Sequence, residues 1–150
     1  MNSTKSVFTT AIIAALVAIG ALSTDMYLPA FSALMQAFDT EINLVQYTLS
    51  VFLIGFALAQ LIYGPLSDRF GRKPILLGGM LLFFLSSIAI VYAETIETLI
   101  VLRFFQAVGG SAGPVLGRAM IRDIHGPKES AKQLAYIGTA MALAPAIAPI

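Results

Sequence analysis

Three ionisable side chains interrupt otherwise apolar stretches of this chain: Asp25, Arg103 and Arg118. An ionised group at the centre of a bilayer costs roughly 2.5–3.5 kcal/mol on insertion scales, so one that persists there usually faces a cavity or a partner. A carboxyl so placed can carry a proton, because desolvation favours its neutral form and a nearby cation its charged form. Asp25 and Arg103 therefore offer a coupling pair, in which Asp25 takes the proton or engages a cationic substrate and Arg103 tunes it. Arg118 lies close enough to the end of its apolar run to snorkel to the surface. Tyr27, Phe31 and Gln106 are candidates for a cavity wall, since hydrophobic molecules are held by apolar and aromatic groups with few polar contacts. Helix packing is the plainer role for Phe31. Enzyme chemistry finds no constellation here. His125 is the single histidine and stands beside Gly126-Pro127, and no Ser–His–acid set, metal-ligand spacing or cofactor motif is visible. Cysteine is absent, which removes disulfides, thiol chemistry and Cys-based zinc sites.

Composition dictates the elements that hold these residues. Hydrophobic residues are 58% of the 150 and charged residues 11%, against roughly 45–50% and 25% in soluble domains. Nine Lys+Arg and eight Asp+Glu are too few to cover a globule of this size, and the same balance excludes disorder. A net charge of +1 gives no hint of a nucleic-acid surface. The chain reads as an all-α polytopic membrane protein, with the lipid bilayer as its partner. Residues 6–24, 42–67, 74–93 and 133–150 carry no charge, and each is long enough for a bilayer core that needs roughly 17–25 residues. Loop polarity demands another span through Arg103 and Arg118. Five helices result, at about 7–37, 44–66, 75–93, 98–120 and 131–150.

Direction follows from the basic residues. Lys5, Arg69, Arg72, Lys73, Arg122, Lys128 and Lys132 fall at the N-terminus or in the loops after the second and fourth spans, whereas Asp39, Glu41, Glu94 and Glu97 occupy the other loops without a Lys or Arg. The N-terminus is expected in the cytoplasm. Tyr47, Tyr63, Tyr92 and Tyr136 lie near expected helix ends, where amphipathic rings favour the headgroups. A cleaved signal peptide is the rival reading of the first span, but no small-residue cleavage site ends its run. Two readings of Asp25 also stand. Either the first helix stops near Ser23 and an interfacial helix follows, with Tyr27, Phe31, Leu34 and Phe38 on one face, or one long helix bends at Pro29 and runs to Ala37. The second is favoured because Asp39 and Glu41 make the better boundary, and it sets Asp25 roughly 18 Å below that end.

Gly109, Gly113 and Gly117 recur every fourth residue of the fourth span, a stripe that lets another helix approach closely. It is no phosphate loop, since no strand precedes it and no Gly-Lys-Ser/Thr follows. Between the second and third spans stands Gly64-Pro65-Leu66-Ser67-Asp68-Arg69-Phe70-Gly71-Arg72-Lys73-Pro74. Residues Asp68 to Lys73 reverse the chain, with Gly71 supplying backbone freedom, Gly64 close approach, and Pro74 a first-turn residue for the next helix.

That loop resembles the cytoplasmic signature of the major facilitator superfamily at each of its polar and glycine positions. Leu99, Arg103, Gln106, Gly109 and Gly110 are similar to the superfamily's fourth-helix motif, with Ala107 where Gly is more usual. Ala144-Pro145-Ala146-Ile147-Ala148-Pro149 resembles the opening of the fifth-helix antiporter motif, Ala148 replacing Gly. Ser23-Thr24-Asp25-Met26-Tyr27-Leu28-Pro29-Ala30 is similar to the bicyclomycin/chloramphenicol-resistance branch of drug:proton antiporters. The resemblance implies an inner-membrane exporter of small hydrophobic molecules, coupled to H+ and needing no cofactor. It implies a chain of two six-helix halves, of which the sixth helix and the C-terminal half lie beyond these residues. It further implies that Asp68 meets a helix of that second half and that Arg72 pairs with an acid at the cytoplasmic end of the fourth helix, for which Asp123 is available. Gly64, Asp68, Arg69, Gly71, Arg72, Lys73 and Asp123 would then form a latch closing the cytoplasmic side. An importer or uniporter of the same superfamily, and a non-transporting membrane assembly module, remain the alternatives.

Overall fold

The computed structural model describes residues 3–124, 129–135 and 138–139, and among them there is no strand. Helix α1 spans Ser3–Asp25, a 3-10 turn covers Leu28–Ala30, and α2 spans Phe31–Ala37. Helices α3 (Ile42–Phe70), α4 (Arg72–Val91) and α5 (Ile96–Ile124) follow. Among the described residues, four helical stretches are long and apolar enough to cross a membrane: Thr9–Ala37, Ile42–Phe70, Arg72–Val91 and Ile96–Ile124. Most of the expected fifth span, with Pro145 and Pro149, lies outside the described residues, as do His125 and Tyr136.

Helix α5 is the axis of the bundle. Fifteen of its residues are buried, against seven in α3 and three in α4, and α1, α3 and α4 all pack on it. Its middle, from Ala107 to Gly117, is built mainly of Gly, Ala and Ser. Small residues suit this place, because lipid is as apolar as a protein core and helices associate in it through close backbone approach. The outer helices turn Leu61, Ile62, Leu77 and Phe84 away from the bundle. At the start of α5, Thr95 Oγ1 accepts the Thr98 N–H at 3.2 Å, a hydroxyl cap on one of the helix's orphan donors.

The first span is bent rather than continuous. Helix α1 stops at Asp25, four residues before Pro29, whose ring and missing N–H forbid a bond to the Asp25 carbonyl. The N–H groups of Met26 and Tyr27 reach the carbonyls of Leu22 and Thr24 at 3.0 and 3.2 Å, and that of Ala30 reaches Tyr27 at 3.1 Å. The chain thus stays coiled, tightens, and resumes as α2. The Thr40 N–H then donates back to the Met35 carbonyl at 3.1 Å, around Asp39 at φ 45°. This is a Schellman closure, with Asp in a left-handed position it tolerates better than most residues.

The reversal between α3 and α4 takes one residue, not the six expected from Asp68 to Lys73. Helix α3 continues to Phe70, and Gly71 alone turns the chain at φ 92°, ψ 153°, a region open essentially to glycine. Its N–H bonds the Ser67 carbonyl at 2.9 Å. Two expectations change as a result. Tyr63 sits two turns inside α3 and is buried against Ala59, Leu76, Ala112 and Leu116, so it is no headgroup anchor. A Cβ added at Gly64 meets nothing within 4 Å, so no helix among the described residues approaches closely there.

Candidate functional site

The turn after α1 and the first third of α5 meet at Arg103. Its side chain is 4% exposed. Nη1 donates to Gln106 Oε1 at 2.8 Å, a pairing that i, i+3 spacing on one helix permits. Gln106 Nε2 in turn donates to Ser87 Oγ on α4 at 2.9 Å, and Ser87 Oγ donates to the Phe83 carbonyl at 2.7 Å. The guanidinium carbon lies 3.4 Å from the centroid of the Tyr27 ring and 5.1 Å from that of Phe52, so ring faces replace water around the cation. Thr48 Oγ1 spends its proton on the Val45 carbonyl at 2.6 Å. The Tyr27 hydroxyl therefore donates to Thr48. Phe31 braces Tyr27 edge-on, with centroids 5.5 Å apart.

Arg103 is left half used. Among the described residues its Nε and Nη2 have no partner. Those two N–H groups form the side-on edge of the guanidinium, the edge that grips a carboxylate through two parallel bonds. Burying such donors unpaired is costly. Asp25 does not fill the place: among the described residues ion pairs join Arg72 to Asp68 and Asp123 only. The break that Pro29 imposes ends α1 at Asp25, and Tyr27 covers one face of Arg103.

The glycine stripe packs on two neighbours. A Cβ on Gly109 would strike the Gly79 carbonyl oxygen at 2.6 Å and Phe83 Cα at 2.8 Å on α4, while one on Gly113 meets the Leu16 carbonyl of α1 and one on Gly117 meets Val17 and Ile13. Steps of four residues advance 40° around a helix of 3.6 residues per turn. The stripe accordingly winds from α4 to α1, and Arg103, Gln106 and Ser87 are set by these contacts.

Arg118 departs from expectation. It does not extend toward the nearer end of α5. Its Nε donates to the Pro114 carbonyl at 2.7 Å, one turn back toward the middle of the helix. Helical side chains lean toward the N-terminus of their helix, and snorkelling toward the C-terminal end works against that lean.

At the Gly71 end of the bundle Arg72 gathers the loop. Its Nη1 lies 2.6 Å from Asp68 Oδ1 and its Nε 3.2 Å from Asp123 Oδ2 of α5. Nη1 also donates to Ser67 Oγ, and Ser67 Oγ donates to the Gly64 carbonyl at 2.9 Å. Arg69 stacks over Phe70 at 5.3 Å, and Lys73 is exposed. Asp68, expected to reach another helix, spends its carboxylate on Arg72 here.

Sequence reasoning missed Ser67, Ser87, Thr48 and Phe52. Hydroxyls in apolar helices commonly bond their own helix's carbonyls, as all three do here, so their types alone do not reveal a second partner. Phe52 shares its pattern with every lipid-facing Phe.

Comparison with known proteins gives a consistent set of matches. The sequence profile described as Major Facilitator Superfamily matches residues 13–150. A chloramphenicol resistance protein from Pseudomonas aeruginosa is 37% identical over 133 residues, covering 88% of this chain and 32% of that protein. A bicyclomycin resistance protein homolog from Haemophilus influenzae is 36% identical over 154 residues, covering 100% and 38%. Multidrug resistance protein D from Escherichia coli is 29% identical over 135 residues, covering 90% and 34%. The chain spans about a third of the length of these curated relatives.

Proposed function

Because the chain belongs to the Major Facilitator Superfamily, a family of transporters rather than enzymes, we propose that it supplies most of the first half of a proton-coupled exporter of small, drug-like hydrophobic molecules. The exporter works by alternating access across the inner membrane, with the N-terminus in the cytoplasm. One observation carries this reading: a guanidinium buried in a span long enough to cross a membrane keeps a bidentate edge unused among the described residues. A structural arginine would have that edge satisfied. A transporter needs it vacant in one conformation and filled in another. Asp25 is the acid of the neighbouring helix available to it. Asp25 meets Arg103 in one conformation and leaves it in another, so proton and substrate occupancy alternate with the conformation. Tyr27, Phe31 and Gln106 line the same place. The names of the relatives, which refer to chloramphenicol, bicyclomycin and multidrug resistance, support a drug-like substrate.

The test uses inside-out vesicles from cells making the full polypeptide. An imposed proton gradient drives accumulation of radiolabelled chloramphenicol, and a protonophore abolishes it. Accumulation indifferent to the protonophore rejects proton coupling. Movement in the opposite sense favours an importer, and no movement of any drug tested favours the assembly role.

The same reading makes Arg72, Asp68 and Asp123 a latch between α4 and α5. Reversing either charge alone, as Arg72→Asp or Asp123→Arg, should cut transport about fivefold, and the double reversal should recover most of it. The expected fold-change corresponds to the upper range for a partly exposed pair, about 1 kcal/mol. A double variant no better than the singles, measured in the same vesicles at equal protein, rules the pairing out.

A further inference from the structure

A cavity of about 250 Å³ lies between α1, α3 and α5, walled mainly by Val17, Ala21, Phe52 and Phe56, with Thr24 and Arg118 as its polar members. We propose that it binds one small amphipathic anion, its apolar body against the two phenylalanines and its carboxylate on the guanidinium of Arg118.

The chemistry is set by what the wall lacks as much as by what it holds. Among the described residues no carboxylate lines this cavity, so none of them compensates a cationic ligand. Thr24 commits its hydroxyl proton to the Gly20 carbonyl at 2.8 Å and offers a ligand only an acceptor oxygen. Among the described residues Arg118 is the single charge. Its Nε is tied to the Pro114 carbonyl, and Pro114 itself lines the cavity. The bond holds the side chain back along α5 and leaves the Nη donors without a hydrogen-bond partner among the described residues. Charge-assisted bonds from such donors to a carboxylate are about twice as strong as neutral ones. The volume falls just below the usual small-molecule range of roughly 300–1,000 Å³, which suits one aromatic ring with a short chain. Phe52 also faces Arg103 at 5.1 Å. The cavity and the Arg103 cluster therefore share a wall, and a ligand on one side presses the ring that contacts the other. This inference goes beyond the transport reading, because it assigns a ligand class to a cavity that the reading does not use.

Binding and transport are read separately. The chain has no cysteine, so Leu53→Cys, at the exposed rim of the cavity, introduces a thiol whose N-ethylmaleimide labelling in membranes reports occupancy. The probes are 4-phenylbutyrate and 4-phenylbutylamine, which share a body and differ in the sign of the head. The butyrate should protect the thiol at a concentration about tenfold lower than the amine, the difference expected of a hydrogen-bonded charge. Arg118→Ala should erase that preference, and Arg118→Lys should keep most of it. Unchanged labelling of the Arg118→Ala variant without ligand shows that the bundle is intact. Equal protection by the two probes, or a preference that survives Arg118→Ala, overturns the inference. If gradient-driven drug transport is present while the preference is absent, only this inference fails. If the preference is present and transport absent, the transport reading fails and the anion site stands.

Discussion

Asp25→Asn abolishes gradient-driven drug accumulation, down to the level of vesicles lacking the protein, while the variant inserts and folds as the parent does. The second half of that expectation follows from the structure: among the described residues Asp25 makes no ion pair, and Asn keeps its size, so no contact is lost with the charge. The first half follows from the role proposed for it. An amide can neither take up nor release a proton, so a cycle that needs both stops. Substrate charge separates the two roles given to Asp25. If it carries the proton, neutral and cationic drugs are lost together. If it only engages cations, transport of neutral chloramphenicol persists. Full transport of both by Asp25→Asn removes the residue from the mechanism. Asp25→Glu should retain part of the activity, since the carboxyl remains and only its reach changes.

Gly113→Ala should be strongly destabilising. The added carbon falls inside contact distance of the Leu16 carbonyl oxygen and lies 2.9 Å from the carbonyl carbon, and backbone cannot step aside as a side-chain tip can. Overpacking costs typically 1–3 kcal/mol, and the upper end applies where the obstacle is a helix axis. Gly78→Ala provides the control. It has nothing within 4 Å of its added carbon, and alanine is favoured over glycine in a helix by about 1 kcal/mol. The pair should therefore shift in opposite directions in an SDS-unfolding titration of the purified protein. Equal midpoints would show that α1 and α5 are not in contact at Gly113 in the membrane.

The sequence made some of this geometry readable and concealed the rest, for reasons that differ by residue. Charge-free runs locate helices because a bilayer charges heavily for ions, which is why α3, α4 and α5 lie near where Arg69, Glu94 and Asp123 bound them. Helix ends were less legible: Gly71 turns the chain alone because one positive-φ residue suffices, and spacing does not distinguish that from a longer loop. A glycine stripe announces close packing but not its partner, so the division of Gly109 from Gly113 and Gly117 between α4 and α1 needed the third dimension. Gly64 shows the converse, a glycine that none of the described helices approaches closely. Arg103 and Gln106 could be paired from their spacing. Arg103 and Asp25 could not be placed, because the break at Pro29 decides where the side chains beyond Ser23 go. The direction of Arg118 is not legible from its distance to the helix end, because the lean of its Cα–Cβ bond toward the helix N-terminus decides it.

Arg72 holds one further consequence. It is the first residue of α4, the end of a helix whose aligned peptide dipoles disfavour a cation by about 0.3–1 kcal/mol. Asp68 and Asp123 set negative charge against it there, and each partly exposed pair is worth about 0–1 kcal/mol. A fastening built this way holds without depth. It can be tipped by a small differential binding energy elsewhere.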